Sequence, residues 1–156
     1  MDKQIFEERT CALWPSLVRT ARCIVRDTGD AEDAAAQAVL SCYQALPRLR
    51  NEAAFEAWMM RACINESRRI LRRRGRVELR DDLSTLNIPA REKEATLSDW
   101  LSLLPERDRL PLHLMYACDM TLDQIAAALG VPHGTAASRI CRARKRLRTI
   151  LEKEGL

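Results

Sequence analysis

The sequence predicts an all-α protein made of two small helical domains joined by a flexible linker. Composition is the first reason. Among 156 residues there are only 5 Gly and 6 Pro, aromatics make up 4%, and Ala, Leu and Arg dominate without β-branched runs, a balance that favours helices over sheet. The second reason is periodicity: apolar residues recur every three to four positions on either side of residues 76–96, but not within them. The third is charge. The net value is +4, yet residues 48–80 hold ten Arg against four Glu and residues 139–156 hold seven basic against two acidic, while 81–108 is net acidic. Two separate basic blocks predict two separate contacts with a polyanion. The expected division is therefore residues 1–75, a linker over 76–96, and residues 97–156.

Residues 3–26 predict a first helix, interrupted or offset at Pro15, with Leu13, Leu17, Val18, Ala21, Ile24 and Val25 inward. Asp27–Asp30 reads as a turn whose last residue caps a second helix from about Ala31 to Leu46, burying Ala35, Ala38, Val39, Cys42 and Leu46. Glu32 and Asp33 fall in its first turn. There they serve either as partners of the helix dipole or as a surface acidic patch for a basic partner. A short loop over Leu49–Ala54 leads to a third helix from about Phe55 to Arg74, with Phe55, Trp58, Met59, Ala62 and Cys63 inward. It ends in Arg68–Arg74, five arginines in seven residues. That is more positive charge than a helix terminus needs, and it favours phosphate contact. Three such helices make a compact bundle.

From Gly75 to about Ser98 the apolar period lapses, with one short turn expected around Leu83–Leu86. Leu97, Trp100, Leu101 and Leu104 open a second unit, which Pro105 interrupts before a helix running to about Cys118. Thr121 then N-caps a helix and Gln124 completes a capping box, with Ile125, Ala126 and Leu129 on its apolar face. Gly130 tolerates the left-handed geometry that ends a helix, and Pro132 prevents its continuation. Thr135 restarts a helix with Ala136, Ile140, Ala143, Leu147 and Leu151 on one stripe and Ser138, Arg139, Arg142, Lys145 and Arg146 opposite. Helix, tight turn and basic amphipathic helix is the geometry that lays its second helix into a DNA major groove.

The six cysteines form no CxxC pair, and neither histidine lies near a cysteine pair. No metal or other cofactor is expected; the thiols read as small buried hydrophobes in a reducing compartment. With no basic-then-apolar leader and no run near ~18 apolar residues, the expectation is a soluble, cytoplasmic protein without membrane insertion. No nucleophile–base pairing, phosphate-cradling glycine loop or metal set points to an enzyme.

The N-terminal half carries Asp30-Ala31-Glu32-Asp33-Ala34, then Phe55-Glu56-Ala57-Trp58, then Asn65-Glu66 ahead of the arginine cluster. The C-terminal half carries Leu104-Pro105-Glu106-Arg107, Leu129-Gly130-Val131-Pro132, Gly134-Thr135, Ser138-Arg139 and Arg142-Ala143-Arg144. In that order, and over almost the whole chain, these resemble regions two and four of the extracytoplasmic-function (ECF) sigma factors of bacterial RNA polymerase, in the sigma-70 family. The resemblance implies a promoter-recognition subunit with core RNA polymerase and promoter DNA as partners and an anti-sigma factor as inhibitor. It implies that region two docks on polymerase through Glu32, Asp33 and Gln37 and opens the minus-ten element through Trp58, Arg61, Asn65, Arg68, Arg69 and Arg72. Trp58 is also readable as a core residue. Region four then reads the minus-thirty-five element through Ser138, Arg139, Arg142, Lys145 and Arg146.

The chain departs from the family pattern at Ala36-Gln37, where Gln-Glu is usual, and at Ala137, where Lys or Arg is usual. Met115 replaces a common phosphate-contacting Arg, and Cys141 a larger residue. Two other readings remain: a sigma-like or stand-alone helix-turn-helix regulator with weak or no initiation, and a redox-responsive adaptor whose helix-turn-helix is packing only.

Overall fold

In a computed structural model that describes residues 1–78 and 96–155, all regular structure is helical. Helix α1 is Lys3–Val25, α2 Thr28–Gln44, α3 Phe55–Glu78, α4 Leu97–Leu101, α5 Glu106–Tyr116, α6 Leu122–Leu129 and α7 His133–Lys153. Short 3-10 turns at Leu46–Arg48 and Glu52–Ala54 connect α2 to α3. No helix among the described residues is long and apolar enough to cross a membrane. The turn expected around Leu83–Leu86 lies outside the described residues.

Helices α1, α2 and α3 pack pairwise into a bundle around Leu17, Ala21, Ala34, Ala38, Phe55, Met59 and Ile64. Its first helix differs from expectation at Pro15, through which α1 runs unbroken from an Asp2 cap. Pro15 removes one backbone donor in the middle of a 23-residue helix, and the surrounding turns hold the axis together. The second correction concerns the cap of α2. Asp27, not Asp30, accepts from the Asp30 amide at 2.8 Å, so the helix begins at Thr28 and Asp30 lies inside its first turn. Asp30 is 8% exposed and pairs with Arg74 at 2.8 Å. Glu32 and Asp33 therefore fall in the second turn, beyond the strongest reach of the helix dipole. The third helix outruns its expected end by one turn, passing Gly75 to Glu78.

In the second half, Thr96 forms a capping box with Asp99 at the start of α4. Pro105 stands at the expected break between α4 and α5, as the N-cap residue of α5. Helix α6 has the expected Thr121–Gln124 capping box and ends at Gly130, φ +67°. Helix α7 begins at His133, capped by Pro132, one half-turn before the expected Thr135. Its stripe is buried at Ala136, Ile140 and Ala143, and Leu147 and Leu151 are only partly covered.

The two halves pack against each other, α1 on α5 and α3 on α6. Helix α5 is the hub. Seven consecutive residues, Asp108–Leu114, are buried, which an amphipathic surface helix never achieves. One side of α5 faces α6 and α7, and the other faces α1.

Candidate nucleic-acid interface

The capping box fixes where α6 starts and Gly130 fixes where it stops, so the angle at which α7 leaves the turn is set by local chemistry. The buried Ala136, Ile140 and Ala143 then determine which side of α7 faces outward. Ser138, Arg142 and Lys145 are exposed on that side. Among the described residues Arg142 makes only a long bond within its own helix, from Nε to the Ser138 carbonyl at 3.4 Å.

The other two residues expected to face DNA are placed differently. Arg146 reaches back to α5 and pairs with the buried Asp108 at 2.7 Å. Arg139 is half-buried, and its Nε has no hydrogen-bond partner among the described residues. Arg144 was missed by the sequence reading. Its guanidinium lies 5.6 Å over the Tyr116 ring, donates to the Tyr116 hydroxyl at 2.8 Å and meets Met115 Sδ at 3.2 Å. A positive group thus stands beside Met115, where the family pattern leads one to look for an arginine. The spacing of α7 contains no signal for this, because it depends on α5.

In the first half, Asn65, Arg69 and Arg72 are exposed along α3, Arg69 with Glu66 at 3.7 Å. Trp58 is half-buried and packs on Phe55 with ring centroids 6.4 Å apart, so part of its surface belongs to the core. Arg61 and Arg68 point to the seam between the halves. A Cβ added at Gly130 would lie 3.2 Å from Arg61 Nη2, so the guanidinium rests against the turn backbone. Arg68 pairs with Glu106 at 3.1 Å. Arg68, Glu106, Arg107 and Arg139 line a small cavity of about 360 Å³. Two expected DNA contacts, Arg68 from the first half and Arg139 from the second, therefore share one cavity.

The outer face of α2 presents Glu32, Asp33, Ala36, Gln37, Leu40 and Tyr43, all exposed. Leu40 is 49% and Tyr43 42% exposed, and neither acid forms an ion pair among the described residues. Of the cysteines, Cys42 and Cys63 are buried, and burial pushes each thiol up to about 12. Burial likewise raises Cys23 to about 11. These thiols stay protonated and act as apolar filling.

The chain matches the family description "Sigma-70 region 2" over residues 12–77 and "Sigma-70, region 4" over residues 96–147. It is 31% identical over 147 residues to RNA polymerase sigma-H factor of Pseudomonas aeruginosa, covering 82% of this chain and 76% of that one. It is 30% identical over 156 residues to RNA polymerase sigma-E factor of Streptomyces avermitilis, covering 97% and 87%. Its fold is similar to that of the sigma factor RpoE solved in complex with the anti-sigma factor NepR from Bartonella quintana, with TM-score 0.76, 25% identity, and coverage of 96% of this chain and 98% of that one. Sigma factors are regulatory initiation factors, and this chain belongs among them, an alternative sigma factor of the ECF group in the sigma-70 family that serves transcription initiation.

Proposed function

We propose that the chain engages core RNA polymerase through the outer face of α2 and promoter DNA through α3 and α7, in the cytoplasm and without catalysing a reaction itself. On this reading residues 1–75 dock and open the minus-ten element, and residues 97–156 read the minus-thirty-five element. The observation that carries polymerase docking is the α2 face, where two acids without an ion pair among the described residues share the surface with Leu40 and Tyr43 (49% and 42% exposed). Acids in a second turn owe little to the helix dipole, and an apolar strip next to them suits a basic protein partner.

The seam adds a condition. Arg68 and Arg139 line one cavity at the seam and Arg61 lies against Gly130, so full DNA engagement by these residues favours the halves parting. A stand-alone reader made of residues 97–156 is disfavoured by the same packing, because α5 and α6 would expose the surfaces that α1 and α3 now cover. The solved relative from Bartonella quintana is bound to an anti-sigma factor. This supports a protein inhibitor for the present chain as well.

The test is association with core polymerase. Asp33→Arg should weaken it by roughly tenfold or more through like-charge repulsion and leave the melting temperature unchanged. Unaltered association would remove α2 as the docking face, and a lowered melting temperature would return Asp33 to a structural role.

A further inference from the structure

Between α1 and the corner formed by α4 and α5 lies a cleft of about 670 Å³, within the ~300–1,000 Å³ range of small-molecule sites. Four arginines face it. Arg19, Arg22 and Arg26 follow at three- and four-residue spacing along α1 and its C-cap, and all three are exposed. Arg109 comes from α5 and is 6% exposed. Its guanidinium is held rigidly: Nε donates to the Cys23 carbonyl at 2.9 Å, Nη1 to the Leu104 carbonyl at 2.9 Å, and Nη2 again to Cys23. Arg26 donates to the Ser102 carbonyl at 3.2 Å.

Every one of these acceptors is a neutral carbonyl. None of the four arginines forms an ion pair among the described residues, whereas Arg9, Arg68, Arg74 and Arg146 all do. The acid lining the cleft, Asp99, is committed to its own helix cap, accepting from the Thr96 amide and hydroxyl at 2.8 Å each. Burial, followed by the nearby Arg26 charge, pushes the Arg109 guanidinium below its usual range. Of this gathered positive charge Arg109 is buried, and among the described residues it lacks the paired counter-charge that normally makes burial tolerable. The lining also has an apolar part. Leu97, Leu101 and Ala117 supply it.

We propose that this cleft binds a small polyphosphorylated anion, with a nucleoside polyphosphate as the class that matches both the arginines and the apolar part of the lining. Planar guanidiniums suit phosphate oxygens, and Arg109 is fixed in advance by its three carbonyl bonds. A duplex backbone is a poorer fit, since it needs an open surface and this is a cleft between helices. Because α1 lies in the first half and α4 and α5 in the second, a bound anion bridges the seam. It therefore favours the packed arrangement over the parted one.

The test uses the full chain, with inorganic tripolyphosphate and magnesium-free ATP as probes, read by calorimetry and by thermal unfolding at fixed ionic strength. Both should bind and raise the transition, ATP more tightly than tripolyphosphate. Arg19→Ala/Arg22→Ala should weaken both by roughly tenfold or more. Neither side chain donates a hydrogen bond among the described residues, so the fold should persist. Arg48→Ala/Arg50→Ala removes the same charge from exposed positions elsewhere and should bind like wild type. Equal loss in the two double variants, or no loss in the first, would overturn the site. Equal affinity for tripolyphosphate and ATP would overturn its nucleoside assignment.

Discussion

Arg142 differs from its neighbours on α7 in what it is free to do. Arg146 is tied to Asp108 at 2.7 Å, Arg144 is stacked on Tyr116, and Arg139 is half-buried in the seam. Among the described residues, Arg142 and Lys145 are thus the exposed basic residues of that face without a partner from another helix, and Arg142 has the planar fork that reads guanine. Arg142→Ala should cost roughly 1–3 kcal/mol on the preferred minus-thirty-five sequence and relax preference at one position. Binding to a panel of single-base variants measures this. An even loss across the panel, with a salt slope smaller by about one, would make it a phosphate contact instead. The limits of sequence reading at this scale have a plain cause. Spacing put Arg142 and Arg146 on one face, and both are exposed. It could not show that Asp108, 38 positions away, claims one of them. Thr20, His113 and Arg109 are types usually found at the surface, and only packing reveals them as buried.

At the scale of the element, the α6–turn–α7 unit was the most legible part, because its signals are local. The capping box, the left-handed Gly130 and the apolar stripe each lie within a few residues of the feature they produce. Gly130→Ala should destabilise by about 1–2 kcal/mol through its positive φ, measurable by denaturant unfolding. Arg61, 3.2 Å from the new Cβ, is a flexible end that can move aside. If Arg61→Ala in the same chain restored the whole loss, the contact and not the backbone would be the cause. Helix α5 was the least legible element, since its all-round burial depends on two separate partners. Its His113 is 7% exposed and its Nε2 lies 3.0 Å from the Thr20 hydroxyl of α1. Burial, with Arg19 next, lowers it from 6.5 to about 4. The unfolded chain therefore takes up that proton first as pH falls. Stability from the neutral imidazole is complete above about pH 6.5 and is lost toward about pH 4, a total of roughly 3 kcal/mol. Unfolding of wild type and His113→Gln across that range should show the pH slope shrinking in the variant. An identical slope would place the titration elsewhere.

For the whole molecule, the two halves were visible in charge and periodicity, and the two region matches fall on either side of the same gap, at 12–77 and 96–147. Their packing was not visible. The contacts of α1 with α5 and of α3 with α6 join residues far apart in sequence, between faces that each look solvent-exposed alone. That packing brings Arg68 and Arg139 to one cavity and sets Arg61 against Gly130. The departures at Ala36, Gln37, Ala137 and Cys141 leave these positions exposed or half-buried without altering the fold, so they bear on affinity and promoter sequence. The most direct measurement is run-off transcription by core polymerase with this protein on a genomic fragment library. Discrete transcripts should appear only when the protein is added, from start sites sharing one minus-ten and one minus-thirty-five sequence, and Arg142→Ala should reduce them. Transcription no greater than that of core polymerase alone, from a protein that still binds core polymerase and DNA, would contradict initiation by this chain.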